Sequence, residues 1–379
     1  MAKWNDNTAQ LADEALYGQS GYKETNSTTV NNEKCPGCGD NMQFDPAAGK
    51  LKCPSCGTTK EVYSRLSTEM DFQYNFDHAS GWSRETHGYH CNNCNAEGML
   101  DKREIAHTCP FCGSPSVVEN GEIDAMRPNA VIPFSVSKDN AINIAHKWAK
   151  GKLFAPKDFK QNFNAEKVNG VYLPAFTFDM QTYSVYNGSL GEYYYTTTTK
   201  DGQQVKERHT RYFPVSGNYQ QFFNDLAVSA TDAVPSSVMQ TLMDYNYSQS
   251  VEYKAEYLYG FSALLYSKNG KSCLETAKSN TKSRIRSGIL RKYTYDTVES
   301  LDVRTSYYDI KFRYVLLPMY ICNYTYKEKS YPFYINGRTG KTKGKSPVSA
   351  LKVGLLVGGI ALVLAALAIA GYFLNWFGV

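Results

Sequence analysis

The sequence lacks the short motifs that mark several large enzyme classes. No HExxH, GxSxG or GxGxxG pattern occurs in its 379 residues. The stretch NGRTGKTKGKS at 336–346 resembles a phosphate-binding loop, but Ile335 and Thr339 stand where that loop requires glycine. Cys273 and Cys322 have no neighbouring feature that marks a nucleophile. We therefore predict that the protein is not an enzyme.

The first 34 residues have few of the apolar side chains that a folded core requires. Asn, Thr, Ser, Gln and Glu dominate the segment, and this composition does not offset the conformational entropy lost on folding. We expect residues 1–34 to form a disordered arm. The segment also lacks the apolar run of a signal peptide, which predicts that the chain stays in the cytosol, where cysteines remain reduced.

Cysteine, in contrast, is concentrated in a repeated pattern. Eight of the ten cysteines form four CxxC pairs, with 14 residues between the pairs of each half and an offset of 56 positions between the halves. A CxxC turn aims two thiolates at one point, and a hairpin brings a second turn opposite, which gives the tetrahedral four-sulfur shell that Zn²⁺ favours. We predict zinc ribbons at 35–58 and 88–117, joined by a linker at 59–87. The predicted ligands are Cys35, Cys38, Cys53, Cys56, Cys91, Cys94, Cys109 and Cys112.

A shell of four thiolates leaves no position for water or substrate, so the two Zn²⁺ ions are expected to be structural cofactors. Iron is an alternative metal because the same four thiolates accept it. His87, His90 and His107 lie beside the second ribbon and are alternative ligands, although four sulfurs are already present there. Disulfides are disfavoured by the reducing compartment and by the duplicated CxxC spacing.

The charge around the cysteines favours protein partners over nucleic acid. Residues 35–116 contain seven Lys or Arg and ten Asp or Glu, whereas binding to phosphate backbones depends on clustered positive charge. Nucleic-acid binding in replication or transcription stays open as the alternative, because the ribbon type and a basic helix at 271–290 are compatible with it.

Residues 127–347 are predicted to form a mainly β α+β domain rich in aromatic side chains. Apolar residues alternate in VYLPAFTFDM, YVLLPMYICNYTY and YPFYING, as they do in half-buried strands. Asn187-Gly188 and Asn336-Gly337 predict hairpin turns. Three helices are expected, from Ser137 to Gly151, from Pro235 onward, and over 271–290.

An uncharged run of 22 residues at 353–374 predicts a transmembrane helix. At about 1.5 Å per residue this run spans ~33 Å, enough for a hydrocarbon core of about 30 Å. The basic side chains that precede it are Arg338, Lys341, Lys343, Lys345 and Lys352. The positive-inside rule therefore predicts a single-pass protein of the cell membrane with its N-terminal domains in the cytoplasm. Gly354 and Gly358 form a GxxxG pair, which favours a homo-oligomer through this helix.

The predicted architecture is multidomain: two small zinc-ribbon β domains, a mainly β α+β domain and a C-terminal transmembrane helix. The order of twin CPxCG-type ribbons, VIPFSVSKDNAINIAHKWAKGKLFAPKDF, VNGVYLPAFTFD, VLLPMYICNYTYKEKSYPFYINGRTGKTKGKSP and a terminal span resembles bacterial membrane-anchored twin zinc-ribbon proteins. The resemblance covers nearly the whole chain after residue 34. One departure is CNNCNAEG, where the Pro and Gly of the usual knuckle are missing.

Members of that family are often labelled as TFIIB-type zinc ribbons or as primosomal-helicase-like, although no helicase motor is readable in this sequence. Some are encoded beside flotillin-like (SPFH) proteins and PspA-type phage-shock proteins, and are thought to recruit them to the membrane. For this chain the resemblance implies a membrane scaffold or adaptor whose partners are the lipid bilayer and proteins of those types.

Overall fold

A computed structural model describes residues 33–72, 86–91, 97–101, 117–120, 126–163, 168–200, 203–327 and 329–376. The arm predicted at 1–34 lies outside these ranges except for its last two residues, and so does most of the second ribbon predicted at 88–117. The described part of the chain is mostly β, which confirms the expected mainly β character.

Short strands make up the first part of the described chain. They are β1 (Gln43–Asp45), β2 (Lys50–Lys52), β3 (Thr59–Glu61), β4 (Met70–Asp71), β5 (Thr86–Cys91), β6 (Glu97–Asp101) and β7 (Val117–Asn120). Strands β1, β2 and β3 form a small antiparallel sheet of their own. We call residues 33–61 the cysteine module. Strand β5 pairs antiparallel with both β6 and β7.

The rest of the chain forms a long sheet and the helices that accompany it. In order, the elements are β8 (Ala130–Val131), α1 (Lys138–Lys150), α2 (Lys157–Asn162), β9 (Val168–Lys200), β10 (Gln203–Ser229), α3 (Ser236–Leu242), β11 (Val251–Glu252), β12 (Ser262–Leu264), α4 (Gly270–Leu290), β13 (Thr297–Tyr326), β14 (Lys329–Asn336), β15 (Thr342–Gly344) and α5 (Ala350–Trp376). Short 3₁₀ helices occupy Tyr247–Gln249 and Ala255–Leu258.

Strand β9 lies at the centre of the long sheet. Strand β13 pairs with it antiparallel between Val168 and Gly191, and β10 pairs with it antiparallel on the other side. Strand β12 pairs parallel with the start of β9. At about 3.3 Å per residue, the 33 residues of β9 have a contour length of ~110 Å.

The two faces of β9 enter separate apolar cores. Phe176, Phe178 and Met180 on one face belong to the largest core, and Leu173 on the other face packs in a smaller core with Leu242 of α3. Successive strand side chains point to opposite faces. The strand expected from VYLPAFTFDM is therefore confirmed, but it is buried on both faces and not half-buried.

The three helices predicted from the sequence are confirmed. Helix α1 follows Ser137, whose side chain accepts a hydrogen bond from the Asn140 amide, and ends before Gly151. Helix α3 follows Pro235, and α4 follows Asn269. Helix α2 was not predicted, because its six residues KDFKQN are too few to establish a helical period.

The prediction of a hairpin turn at Asn187-Gly188 is wrong. Both residues continue β9, which pairs there with β10 and β13. Glycine at position 188 allows β9 and β13 to approach closely, since a Cβ there would lie 2.4 Å from the carbonyl oxygen of Ser300. The hairpin expected at Asn336-Gly337 is confirmed, because β14 and β15 pair antiparallel on either side of it.

Helix α5 is long and apolar enough to cross a membrane. Over Ala350–Ile369 its mean hydropathy is 2.4, and 0% of that stretch is buried within the protein. The apolar helix expected at 353–374 is therefore present, and its orientation in a membrane stays a prediction.

Candidate metal centre

Two backbone turns position the first four cysteines. After Cys35, the Gly39 amide donates to the Cys35 carbonyl at 2.9 Å, and the Cys35 amide donates to the Asp40 carbonyl at 2.7 Å. After Cys53, the Gly57 amide donates to the Cys53 carbonyl at 3.0 Å. Gly39 and Gly57 have φ angles of +78° and +77°, a conformation that favours glycine. The segments CPGCG and CPSCG therefore fold into the same turn.

The two turns bring four sulfur atoms together. Cys35 Sγ lies 3.4 Å from Cys56 Sγ, and Cys38 Sγ lies 3.5 Å from Cys53 Sγ. All four sulfurs lie within 4.8 Å of one another. A disulfide requires about 2.05 Å, whereas a Zn²⁺ with four sulfurs at about 2.3 Å places them ~3.8 Å apart. The spacing excludes disulfides and is compatible with a metal ion held by all four sulfurs.

The groups around the sulfurs suit thiolate ligands. The Gly37 amide donates to Cys35 Sγ at 3.3 Å, and the Thr58 hydroxyl lies 3.1 Å from Cys56 Sγ. A Cβ at position 37 would lie 3.2 Å from Thr58 Oγ1 and 3.8 Å from the sulfurs of Cys35 and Cys56. A side chain at this position would therefore crowd the Thr58 hydroxyl that contacts Cys56 Sγ.

The thiols perturb one another's ionisation. Burial raises the pKa of Cys35, but hydrogen bonds from backbone amides, chiefly that of Cys38, outweigh burial and lower the pKa to about 6. The Asp40 amide lowers the pKa of Cys38, but the neighbouring thiols of Cys53 and Cys56 outweigh it and raise the pKa to about 12. Four adjacent thiolates repel one another, and a divalent cation at their centre removes that repulsion. The four residues fit a structural Zn²⁺.

The second predicted metal site stays a prediction. Cys91 is the last residue of β5, which also contains His87 and His90. The other members of that predicted group lie outside the described residues: Cys94, Cys109, Cys112 and His107.

Backbone and aromatic contacts hold the cysteine module against the rest of the protein. The Phe44 amide donates to the Tyr259 carbonyl at 3.0 Å. The rings of Phe44 and Tyr257 meet edge-on with their centroids 5.2 Å apart, and the Tyr257 hydroxyl donates to Ser64, just after the module, at 3.0 Å. The cysteine module therefore packs against the 3₁₀ helix Ala255–Leu258 and the residue that follows it.

A buried charged cluster lies where the segment after the module meets the long sheet. Arg313 donates to Glu69 at 2.7 Å and to Asp225 at 2.6 Å, and the Asp225 amide donates to Asp179 at 2.7 Å. We call these four residues the carboxylate cluster. Arg313 supplies the positive charge that offsets the grouped carboxylates. No sequence signal marks the cluster, because its members come from four distant segments.

Burial governs ionisation in the carboxylate cluster. Asp179 is 5% exposed. Burial raises its pKa to about 6, opposed by the amide hydrogen bond from Asp225 and reinforced by the neighbouring Glu69. Burial also raises the pKa of Asp225, against the attraction of Arg313.

Comparisons with known proteins identify a relative but no family. No protein-family model matches the chain, and no solved structure matches it. The chain is similar to "Uncharacterized protein YdjG" of Bacillus subtilis (strain 168), with 28% identity over 329 residues that cover 86% of this chain and 93% of the relative. The aligned length exceeds that of the 127–347 region alone, so the similarity extends over more than one part of the chain.

Proposed function

We propose that the protein is a membrane-anchored cytoplasmic scaffold in which α5 spans the bilayer and structural Zn²⁺ keeps the cysteine module folded for binding protein partners. The observation that carries this proposal is the convergence of four sulfurs within 4.8 Å of one another. Four protein ligands complete a tetrahedral shell and leave no site for a reacting molecule, which supports a structural role over a catalytic one.

The charge of the cysteine segment supports a protein partner. Acidic residues outnumber basic ones over 35–116, which disfavours a phosphate backbone. The contacts of Phe44 and Ser64 with Tyr259 and Tyr257 support a rigid presentation of the module. The resemblance described above points to partners of the flotillin-like (SPFH) or PspA type, and the GxxxG pair in α5 to a homo-oligomer.

A membrane-associated nucleic-acid-binding protein is the second candidate. The observation that favours it is the far end of the β9–β10 hairpin, where Arg208 stacks on Tyr193 at 4.4 Å and Tyr195 is 64% exposed. Aromatic and basic side chains together bind single-stranded nucleic acid in a salt-dependent way. The charge of the cysteine segment makes this the weaker candidate.

The test compares the full-length protein with a Cys35→Ser/Cys38→Ser variant, both crosslinked in native membranes, solubilised and purified. Metal content, co-purifying proteins and nucleic acid are measured in the same eluate. We expect zinc and partner proteins with the unaltered chain, and loss of partners together with one zinc in the variant. Cys273→Ala, a change at a buried cysteine of α4, is the matched control and is expected to retain both.

Two results would contradict the proposal. If the variant keeps its partners, the cysteine module does not dock them. If nuclease-sensitive nucleic acid is recovered without protein partners, the second candidate is the correct one.

A further inference from the structure

The loop between α1 and α2 exposes two large apolar side chains. This Leu-Phe loop is residues 151–156, with the sequence GKLFAP. Leu153 is 78% exposed and Phe154 is 40% exposed, whereas the next residue, Ala155, is 1% exposed. The loop therefore has a buried attachment point and an apolar outer surface.

Hydrogen bonds join the Leu-Phe loop to the start of α5. The Ser349 amide donates to the Phe154 carbonyl at 2.8 Å. The Lys352 ammonium donates to the carbonyls of Leu153 at 3.3 Å and Ala155 at 2.6 Å. Three carbonyl groups in a row are thus held by the residues that lead into the apolar helix.

These hydrogen bonds fix the depth of the loop relative to α5. Lys352 is the last charged residue before the uncharged run that begins at Val353. In a helix that crosses a bilayer, such a lysine lies at the boundary between headgroups and acyl chains. Leu153, whose carbonyl binds the same ammonium group, lies at that boundary too.

The charges beside the loop complement an anionic lipid surface. Lys150, Lys152, Lys157 and Lys160 lie within residues 150–160, and Asp158 is the only acidic residue of that segment. The Asp158 carboxylate accepts a hydrogen bond from the Tyr326 hydroxyl at 2.7 Å. Exposed Leu and Phe side chains flanked by lysines are typical of segments that lie in a membrane interface.

We propose that the Leu-Phe loop is a second membrane contact, which places Leu153 and Phe154 in the headgroup–acyl boundary of an anionic phospholipid bilayer beside α5. This inference rests on the proposed membrane anchoring by α5. With two attachment points, the domain cannot pivot freely about the start of the helix, so the cysteine module is held at a defined distance from the membrane.

Photolabelling in vesicles tests this contact without altering the protein. The full-length chain is reconstituted into vesicles of phosphatidylcholine and phosphatidylglycerol that contain a phospholipid with a diazirine near the headgroup end of its acyl chain. Labelled peptides are mapped by mass spectrometry. We expect adducts on α5 and on Leu153 and Phe154. Tyr63 and Leu66 are 79% and 64% exposed. They follow the cysteine module and are far from α5 in sequence, so they serve as internal controls that are expected to carry no adducts.

Each outcome has a separate meaning. Adducts on α5 with none on the loop overturn this inference and leave the anchor intact, whereas an unlabelled α5 overturns both. Equal labelling of the loop and of Tyr63 or Leu66 also overturns the inference, because it indicates random collision with lipid.

A pair of variants makes the test independent of labelling efficiency. Leu153→Ser/Phe154→Ser is expected to lose the loop adducts and keep those on α5, and Tyr63→Ser/Leu66→Ser is expected to keep both. In vesicles of phosphatidylcholine alone, the loop adducts are expected to decrease relative to those on α5. Loop labelling that is unaffected by the serine substitutions would refute the proposed contact.

Discussion

The cysteine module buries only Met42, Phe44 and Leu51 besides two of its cysteines, whereas the long sheet buries many large aromatic side chains. Tyr172, Phe176 and their neighbours are fully enclosed, and their rings contact one another across strands. These three side chains join the same apolar core as Phe176, and they are too few to hold the module folded without that surface or a metal. The comparison therefore assigns metal-dependent stability to one region and packing-dependent stability to the other.

Metal removal is expected to separate the two regions most strongly. Structural zinc contributes an apparent free energy of about 10–16 kcal/mol to small zinc domains. We expect a strong chelator, or Cys35→Ser/Cys38→Ser, to abolish hydrogen-exchange protection in β1, β2 and β3, and to leave protection in β9 and β13 unchanged. Unchanged protection in the module after metal loss would show that its contacts with Tyr257 and Tyr259 keep it folded without a metal ion.

The opposite perturbation is a cavity in the long sheet. Phe176 is fully buried, and truncation of such a ring costs about 3–5 kcal/mol. We expect Phe176→Ala to reduce the free energy of unfolding by that amount in denaturant titrations of the detergent-solubilised chain, with the zinc content of the folded protein unchanged. Phe222→Ala, at a half-exposed position of β10, is the control and is expected to have little effect. Equal losses in both variants would contradict the assignment of the core.

Arg313 joins the segment after the cysteine module to the long sheet, because it binds Glu69 in that segment and Asp225 in β10. Arg313→Leu is expected to cost about 3 kcal/mol, since it leaves buried carboxylates without a cation. Adding Glu69→Gln is expected to recover part of the loss. The control is Arg304→Leu, whose side chain is 88% exposed. If Arg313→Leu is tolerated as well as this control, the carboxylate cluster does not hold the segment to the sheet.

The smallest expected effect is a pH-dependent change in stability that comes from Asp179, the member of the carboxylate cluster in β9. Asp179 has a pKa of about 6 in the folded protein and about 3.9 when unfolded, so the folded state binds the proton more tightly. Stability therefore decreases as pH rises from about 4 to about 6. We expect Asp179→Asn to stabilise the protein by about 1–2 kcal/mol at pH 7 and to have no effect near pH 4. A constant difference across this range, measured by thermal unfolding, would contradict this explanation.

Local patterns could be predicted from the sequence, and contacts between distant segments could not. The CPGCG and CPSCG turns, the Ser137 cap of α1 and the alternation in β9 each depend on a few neighbouring residues. The prediction of a turn at Asn187-Gly188 was wrong because an Asn-Gly dipeptide occurs both in turns and where two strands approach closely. Only the contact of position 188 with the Ser300 carbonyl, which the sequence does not reveal, distinguishes the two cases. The carboxylate cluster and the attachment of the Leu-Phe loop to Lys352 join residues far apart in the chain.

The pairing of β9 with β13 also has a consequence for folding, because its partners are far apart in the sequence. Strand β10 pairs with the strand that precedes it, and the first partners, Gln203 and Lys200, are close in the sequence. Strand β13 instead pairs Thr297 with Gly191 and Cys322 with Val168, partners that are 106 and 154 positions apart. Such long-range pairing forms slowly. We therefore expect one edge of β9 to stay unpaired during synthesis until β13 has left the ribosome, an interval in which a chaperone that covers strand edges would act.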